Sequence, residues 1–116
     1  MDIKRLHVGP RLSEVALHNG VVYLAGQIAE DTTQNIDGQT REVLGYVDRL
    51  LAEAGSDKTR ILMCQIFLAD IKDIAAMNAI WDAWAPAGHT PPRATVQAIL
   101  ARPELLVEIV VTAALA

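Results

Sequence analysis

Three short stretches of apolar and polar positions before residue 30 read as strands set off by turn residues, and helical spacing of the apolar positions follows. Asp2 to His7 forms a first candidate strand, closed by Gly9-Pro10. Ser13–His18 and Val21–Gln27 flank Asn19-Gly20, the dipeptide that most favours a tight type I′ hairpin because both residues tolerate positive φ. Asp31-Thr32-Thr33-Gln34-Asn35 is a polar loop. From Ile36 to Ala54 the apolar positions Ile36, Val43, Val47, Leu50 and Ala54 recur at helical spacing, with Leu44 and Leu51 alongside. Glu42, Asp48, Arg49 and Glu53 face outward there, and Gly55 stands where a helix stop is needed.

The second half begins with Arg60–Ala69, nearly continuous apolar sequence broken only by Gln65. Its length and its Ile and Phe content predict a strand buried on both faces, with a helix as the alternative. Asp70–Ala85 returns to helical spacing and puts Ile74, Met77, Trp81 and Trp84 on one stripe. The Pro- and Gly-containing segment Ala85–Pro92 is a loop. Arg93–Leu100 and Leu105–Ala114 read as two final strands, and a turn around Arg102-Pro103 predicts that they pair as a hairpin. The order is three strands, helix, strand, helix, two strands, which makes one α+β domain over residues 1–116.

This arrangement leaves a surface to account for. Two amphipathic helices can cover one face of a sheet of about six strands. Yet segments 60–69 and 105–114 are apolar on both alternating faces. Exposed apolar area of that extent is unusual on a soluble monomer, so the expected cover is a second copy of the chain, giving a homo-oligomer packed through its sheets.

Composition narrows the partners. The 116 residues are 52% hydrophobic and 21% charged, which excludes a disordered tail. The net charge of -4, with one Phe, two Tyr and two Trp, opposes nucleic-acid binding, which needs clustered cations and stacking aromatics. There is no apolar run of about 18 residues, so no membrane span is expected. The single Cys64 cannot form an intramolecular disulfide and fits a reducing compartment. With no apolar leader in Met-Asp-Ile-Lys-Arg-Leu-His, the expected location is cytoplasmic.

Glu108 is the clearest anomaly. It is the only ionisable side chain from Leu105 to the C-terminal residue, and a carboxylate in an apolar strand is costly unless it is paired or hydrogen-bonded. It is either an edge or ion-paired residue, or a functional one. Arg93 is its natural partner. It follows Pro91-Pro92, whose fixed φ presents it rigidly, and its planar fork can hold a carboxylate in two parallel hydrogen bonds. The pair could form a salt bridge at a subunit contact, or hold a substrate carboxylate on Arg93 while Glu108 handles a water. Asn78 sits on the border of the second helix's apolar stripe, where a polar group needs a partner. Gly26 ends a strand and marks a bend or a place where a ligand approaches the backbone. His7, His18 and His89 lack ligand-like spacing, so no metal site is expected. Cys64, Trp81 and Trp84 read as core.

Taken in order, Ala25-Gly26-Gln27, Gln39-Thr40, Ile66-Phe67-Leu68-Ala69-Asp70, Met77-Asn78, Pro92-Arg93-Ala94 and Val107-Glu108-Ile109 resemble the RidA/YjgF family over essentially the whole chain. The resemblance implies a chorismate-mutase-like α+β fold, with a mixed sheet of about six strands and two helices on one face. It also implies a homotrimer with clefts between subunits, where reactive 2-imino and enamine acids are hydrolysed to 2-keto acids and ammonia without a cofactor. By the same resemblance, Arg93 binds the substrate carboxylate and Glu108 positions the water. Ala94, Thr95, Asn78 and Gly26 belong to the binding surface. Thr95 stands where many deaminating members have Cys, the early tyrosine of those members falls near Leu12 and Ser13, and Val110 replaces a second acidic residue. The loop 30–38 is short for the family. The competing reading is a non-catalytic module that binds a small carboxylate metabolite in the same clefts and regulates a partner. Retention of Glu108 beside Arg93 favours catalysis, because binding an anion needs only the arginine.

Overall fold

The computed structural model describes residues 2–116. Its elements are β1 (Lys4–Val8), β2 (Ser13–His18), β3 (Val21–Leu24), α1 (Ile36–Ala54), β4 (Ile61–Leu68), α2 (Ile74–Trp84), β5 (Arg93–Gln97) and β6 (Val107–Ala114), with short 3-10 turns at Lys58–Arg60 and Ile71–Asp73. The element order and the α1 and β2 boundaries match those read from the sequence. Strand β1 starts two residues later than expected, and β3 and β5 are shorter. The second helix begins as a 3-10 turn capped by Asp70, whose side chain accepts from the Lys72 N–H.

Local chemistry explains the best-defined pieces. Asn19 and Gly20 adopt φ of 52° and 76°, which lets His18 pair with Val21 across a two-residue turn. Asn35 caps α1 by accepting from the Gly38 N–H at 3.1 Å. Gly55, at φ 89°, closes the other end, and the next N–H, of Ser56, returns to the Leu51 carbonyl at 2.8 Å. Glu42 gathers the backbone of Glu30 and Asp31 and the Gln34 amide, so the loop before α1 is tied to the helix it feeds.

The six strands form one mixed sheet in the order β1-β2-β3-β6-β4-β5. Neighbours are antiparallel except β4 and β5, which run parallel. The expected hairpin between 93–100 and 105–114 does not form. Strand β4 lies between β5 and β6, antiparallel to β6 and parallel to β5. The crossover through α2 supplies the long connection that a parallel pair requires.

Helix α1 packs on β2, β3 and β6, and α2 packs beside it. Beneath them lie Val15, Val22, Leu24, Cys64, Ile66, Leu68, Val107, Ile109, Val111 and Ala113, all buried. The opposite face has no helix. Tyr23 and Val96 are 49% and 47% exposed there, and Phe67 and Val110 are only half-buried. The segment 61–68 is therefore buried on one face rather than two, and β6 alternates buried and half-buried along its length. Among the described residues no helix is long and apolar enough to cross a membrane.

Gln39 ties the layers together. It is fully buried; its Nε2 donates to the carbonyls of Gln34 and Glu104, and its Oε1 accepts from the Leu106 N–H. These bonds fix the chain just before β6. Gln39→Leu keeps the volume but strands those partners, and should lower stability by about 2–4 kcal/mol, read as an earlier midpoint in urea unfolding.

Candidate functional site

The functional residues named from sequence fall into two groups on opposite sides of the sheet. Arg93 pairs with Cys64, and Glu108 pairs with Phe67. They are thus offset by three residues along β4 and lie on either side of it. With strand rise and spacing of about 3.3 and 4.8 Å, their Cα atoms are roughly 14 Å apart. The odd offset also turns the side chains to opposite faces. Arg93 points with Cys64 to the helix side, whereas Glu108 shares the open face with Phe67 and Val110. An Arg93–Glu108 salt bridge within one chain is therefore ruled out, and the expectation that both reach the same end of a hairpin is corrected.

Around Arg93 the helix side of the β5 edge is polar. The guanidinium carbon lies 5.0 Å from the centroid of the Trp81 ring, a cation–π arrangement that orients the fork. Trp81 was expected only as core. It is core, at 6% exposed, and also a platform for Arg93, a double role that spacing alone does not reveal. Asn78 precedes Trp81 by three residues, and its Oδ1 is shielded from solvent without a hydrogen bond. Thr95, on the same face of β5 as Arg93, has an Oγ1 in the same condition. Buried polar atoms without partners are rare enough to call for an explanation. Ala94 alternates to the other face and is exposed, so its side chain does not join this group. Cys64 lies beneath it; burial pushes its thiol up to about 12, and the nearby Arg93 only partly offsets that. The thiol is inert.

The second group forms around Glu108. Strand β6 is interior, so the edge reading fails, and among the described residues the only contact at ion-pair distance is His7–Glu53. A Cβ on Gly26 would stand 2.0 Å from Glu108 Oε2 and 3.0 Å from its Cδ. The carboxylate rests directly on the Gly26 backbone, so Gly26 is there for close approach. Tyr23 pairs with Thr112 but Gln27 with Ile109, so the β3 side carries one extra residue, a bulge that re-aims the chain at this point. Gln27 holds the register, exchanging backbone bonds with Ile109 at 2.8 and 3.1 Å. Its Nε2 donates to Glu14 Oε2 at 2.8 Å and to the Ala25 carbonyl at 2.9 Å. Sequence reading missed Glu14 and the buried Gln27 side chain as supports. A polar residue at the end of an apolar strand was the available signal for Gln27.

The Gly26–Glu108 contact can be measured as a coupling. Gly26→Ala should cost about 1–3 kcal/mol of stability in the wild-type background, and clearly less beside Glu108→Ala. Urea unfolding of the four proteins at one fixed concentration checks this, and an equal cost in both backgrounds would refute the contact.

Comparison with known proteins places the fold. A family model described as Endoribonuclease L-PSP matches residues 3–115. A RutC family protein of Haemophilus influenzae is 53% identical over 114 residues, covering 97% of this chain and 98% of the relative. The RutC family protein YoaB of Escherichia coli is 45% identical over 114 residues, covering 98% and 99%. The crystal structure of a YjgF family member from Neisseria meningitidis superposes with a TM-score of 0.97 at 47% identity, covering 100% of this chain and 97% of that one. With every strand and helix included in these matches, the chain belongs to the RidA/YjgF family, whose sequence model bears the Endoribonuclease L-PSP description.

Proposed function

We infer that this protein hydrolyses small 2-imino or enamine carboxylates to 2-keto acids and ammonia, in clefts completed by two copies of the chain. One observation carries the reading. Arg93, beside the unpartnered Asn78 Oδ1 and Thr95 Oγ1, occupies one side of the sheet, and the unpaired Glu108 over Gly26 occupies the other. Neither half is a hydrolytic site alone. With β5 at the sheet edge, a homotrimer of the kind the family resemblance implies would set Glu108 of one protomer against Arg93 of its neighbour if the β5 edge of one copy met the helix-free face of the next. The single buried Cys64 suits a cytoplasmic, reducing setting.

The chemistry follows from the residue types. Arg93 grips the substrate carboxylate in two parallel bonds, and Thr95 can donate a third. Asn78 Oδ1 is an acceptor, suited to the N–H of a protonated imine. Fixing both ends turns an encounter into an oriented attack. Glu108 takes a proton from water as the oxygen adds to C2, forming a tetrahedral amino alcohol. Proton transfer to nitrogen then lets the C–N bond break. As ammonia leaves, Glu108 takes the hydroxyl proton so that the carbonyl forms, then passes it to the ammonia, which departs as ammonium, and returns to its starting state. A ribonuclease reading lacks the basic surface and stacking aromatics it would need.

The test generates 2-imino acids in place with an amino-acid oxidase and follows their disappearance. Wild type should accelerate it, and Arg93→Ala and Glu108→Gln should each lose about a hundredfold or more. Because each cleft would draw its arginine and glutamate from different protomers, co-assembling the two inactive variants should restore roughly a quarter of wild-type activity. No acceleration by wild type defeats the hydrolase, and absence of restoration in co-assembled oligomers defeats the shared cleft.

A further inference from the structure

A groove outside these groups, on the outer side of the helix layer, has its own chemistry. It encloses about 370 Å³ between α1 and α2, within the range of small-molecule sites. Leu44, Ile80 and Trp84 supply its apolar lining, and Arg41, Asp48 and Lys58 stand around it. Its depth depends on Gly45, in the middle of α1, where a Cβ would meet nothing within 4 Å. Glycine at an interior helical position costs about 1 kcal/mol relative to alanine, and neither a turn, a positive φ nor a close contact calls for it here.

The aromatic wall is fixed in place. The Trp84 indole N–H donates to Asp48 Oδ2 at 2.9 Å. Lys58 Nζ donates to the Trp84 carbonyl at 2.7 Å and lies 5.1 Å from the ring centroid. Asp48 is thereby engaged, while Arg41 makes no ion pair or hydrogen bond among the described residues. Two cations against one carboxylate leave this groove locally positive on a chain whose net charge is -4. A locked aromatic wall, a free guanidinium and a slot left open by glycine match one kind of occupant.

We propose that the α1–α2 groove is a second ligand site for a small planar carboxylate, with its ring in the slot over Gly45 against Trp84 and its anionic end on Arg41. The site shares no lining residue with the Arg93 and Glu108 clusters and meets the former only through the contact of Trp84 with Trp81. Its ligand need not be a substrate.

The two tryptophans allow a direct test with benzoate as probe. Benzoate titrated into ¹⁵N-labelled protein should shift the Trp84 indole N–H signal saturably, and the neutral isostere benzamide should do so at least several-fold more weakly. Gly45→Leu puts a side chain into the slot from a Cβ that meets nothing within 4 Å and should weaken benzoate binding about tenfold or more; Arg41→Ala should weaken it about threefold, as befits an exposed ion pair. Arg93→Ala should leave the Trp84 shift intact, which separates this site from the proposed catalytic cleft. The proposal is overturned if benzoate leaves Trp84 unmoved, if the shift survives Gly45→Leu, if benzamide binds equally well, or if Arg93→Ala abolishes it.

Discussion

The alternation along β6 is the constraint on which the structure turns. As an interior antiparallel strand, it must pair on both edges, and its side chains must then point alternately to the two faces. Val107, Ile109, Val111 and Ala113 go under the helices and are buried to 1% exposure or less. Burial of each of the larger three is worth about 1.5–3 kcal/mol, so a one-residue slip would forfeit the core. That energy locks Glu108 onto the open face. The carboxylate is held in position by the hydrophobic residues on either side of it.

The same constraint keeps Arg93 and Glu108 of one protomer apart. A sheet is a wall, and two groups on its opposite faces cannot meet around a small molecule. The helix-free face retains Tyr23, Phe67, Val96 and Val110, an apolar surface around the Glu108 half. The Arg93 half sits at the β5 edge, where α2 leaves polar atoms shielded but unbonded. Each half is preorganised by ordinary structural contacts, Trp81 beneath the guanidinium and Gly26 beneath the carboxylate.

Besides the positive-φ turns at Gly20 and Gly55, two glycines of this chain have opposite meanings. Gly26 is demanded by contact, since any larger residue meets Glu108. Gly45 is demanded by nothing in the fold and leaves open space instead. The sequence shows each only as a lone glycine, after Ala25 and after Leu44, without saying which one meets a side chain.

Local physics made much of the chain legible without coordinates. The Asn19-Gly20 turn, the limits of α1 at Asn35 and Gly55, and the Ile74–Trp84 stripe depend on residues within a few positions of one another, so their chemistry is written contiguously. The uncovered sheet face was also legible, because too few helices exist to cover two apolar faces. Arg93 and Glu108 were recognisable as anomalies by type and by neighbour. Their relation was not. Whether β5 pairs with β6 or with β4 depends on a contact between segments far apart in the chain, and both pairings satisfy the same alternation. Only the tertiary structure inserted β4 between them, sending the guanidinium to one face and the carboxylate to the other, because strand order is decided by how the whole sheet packs beneath its helices.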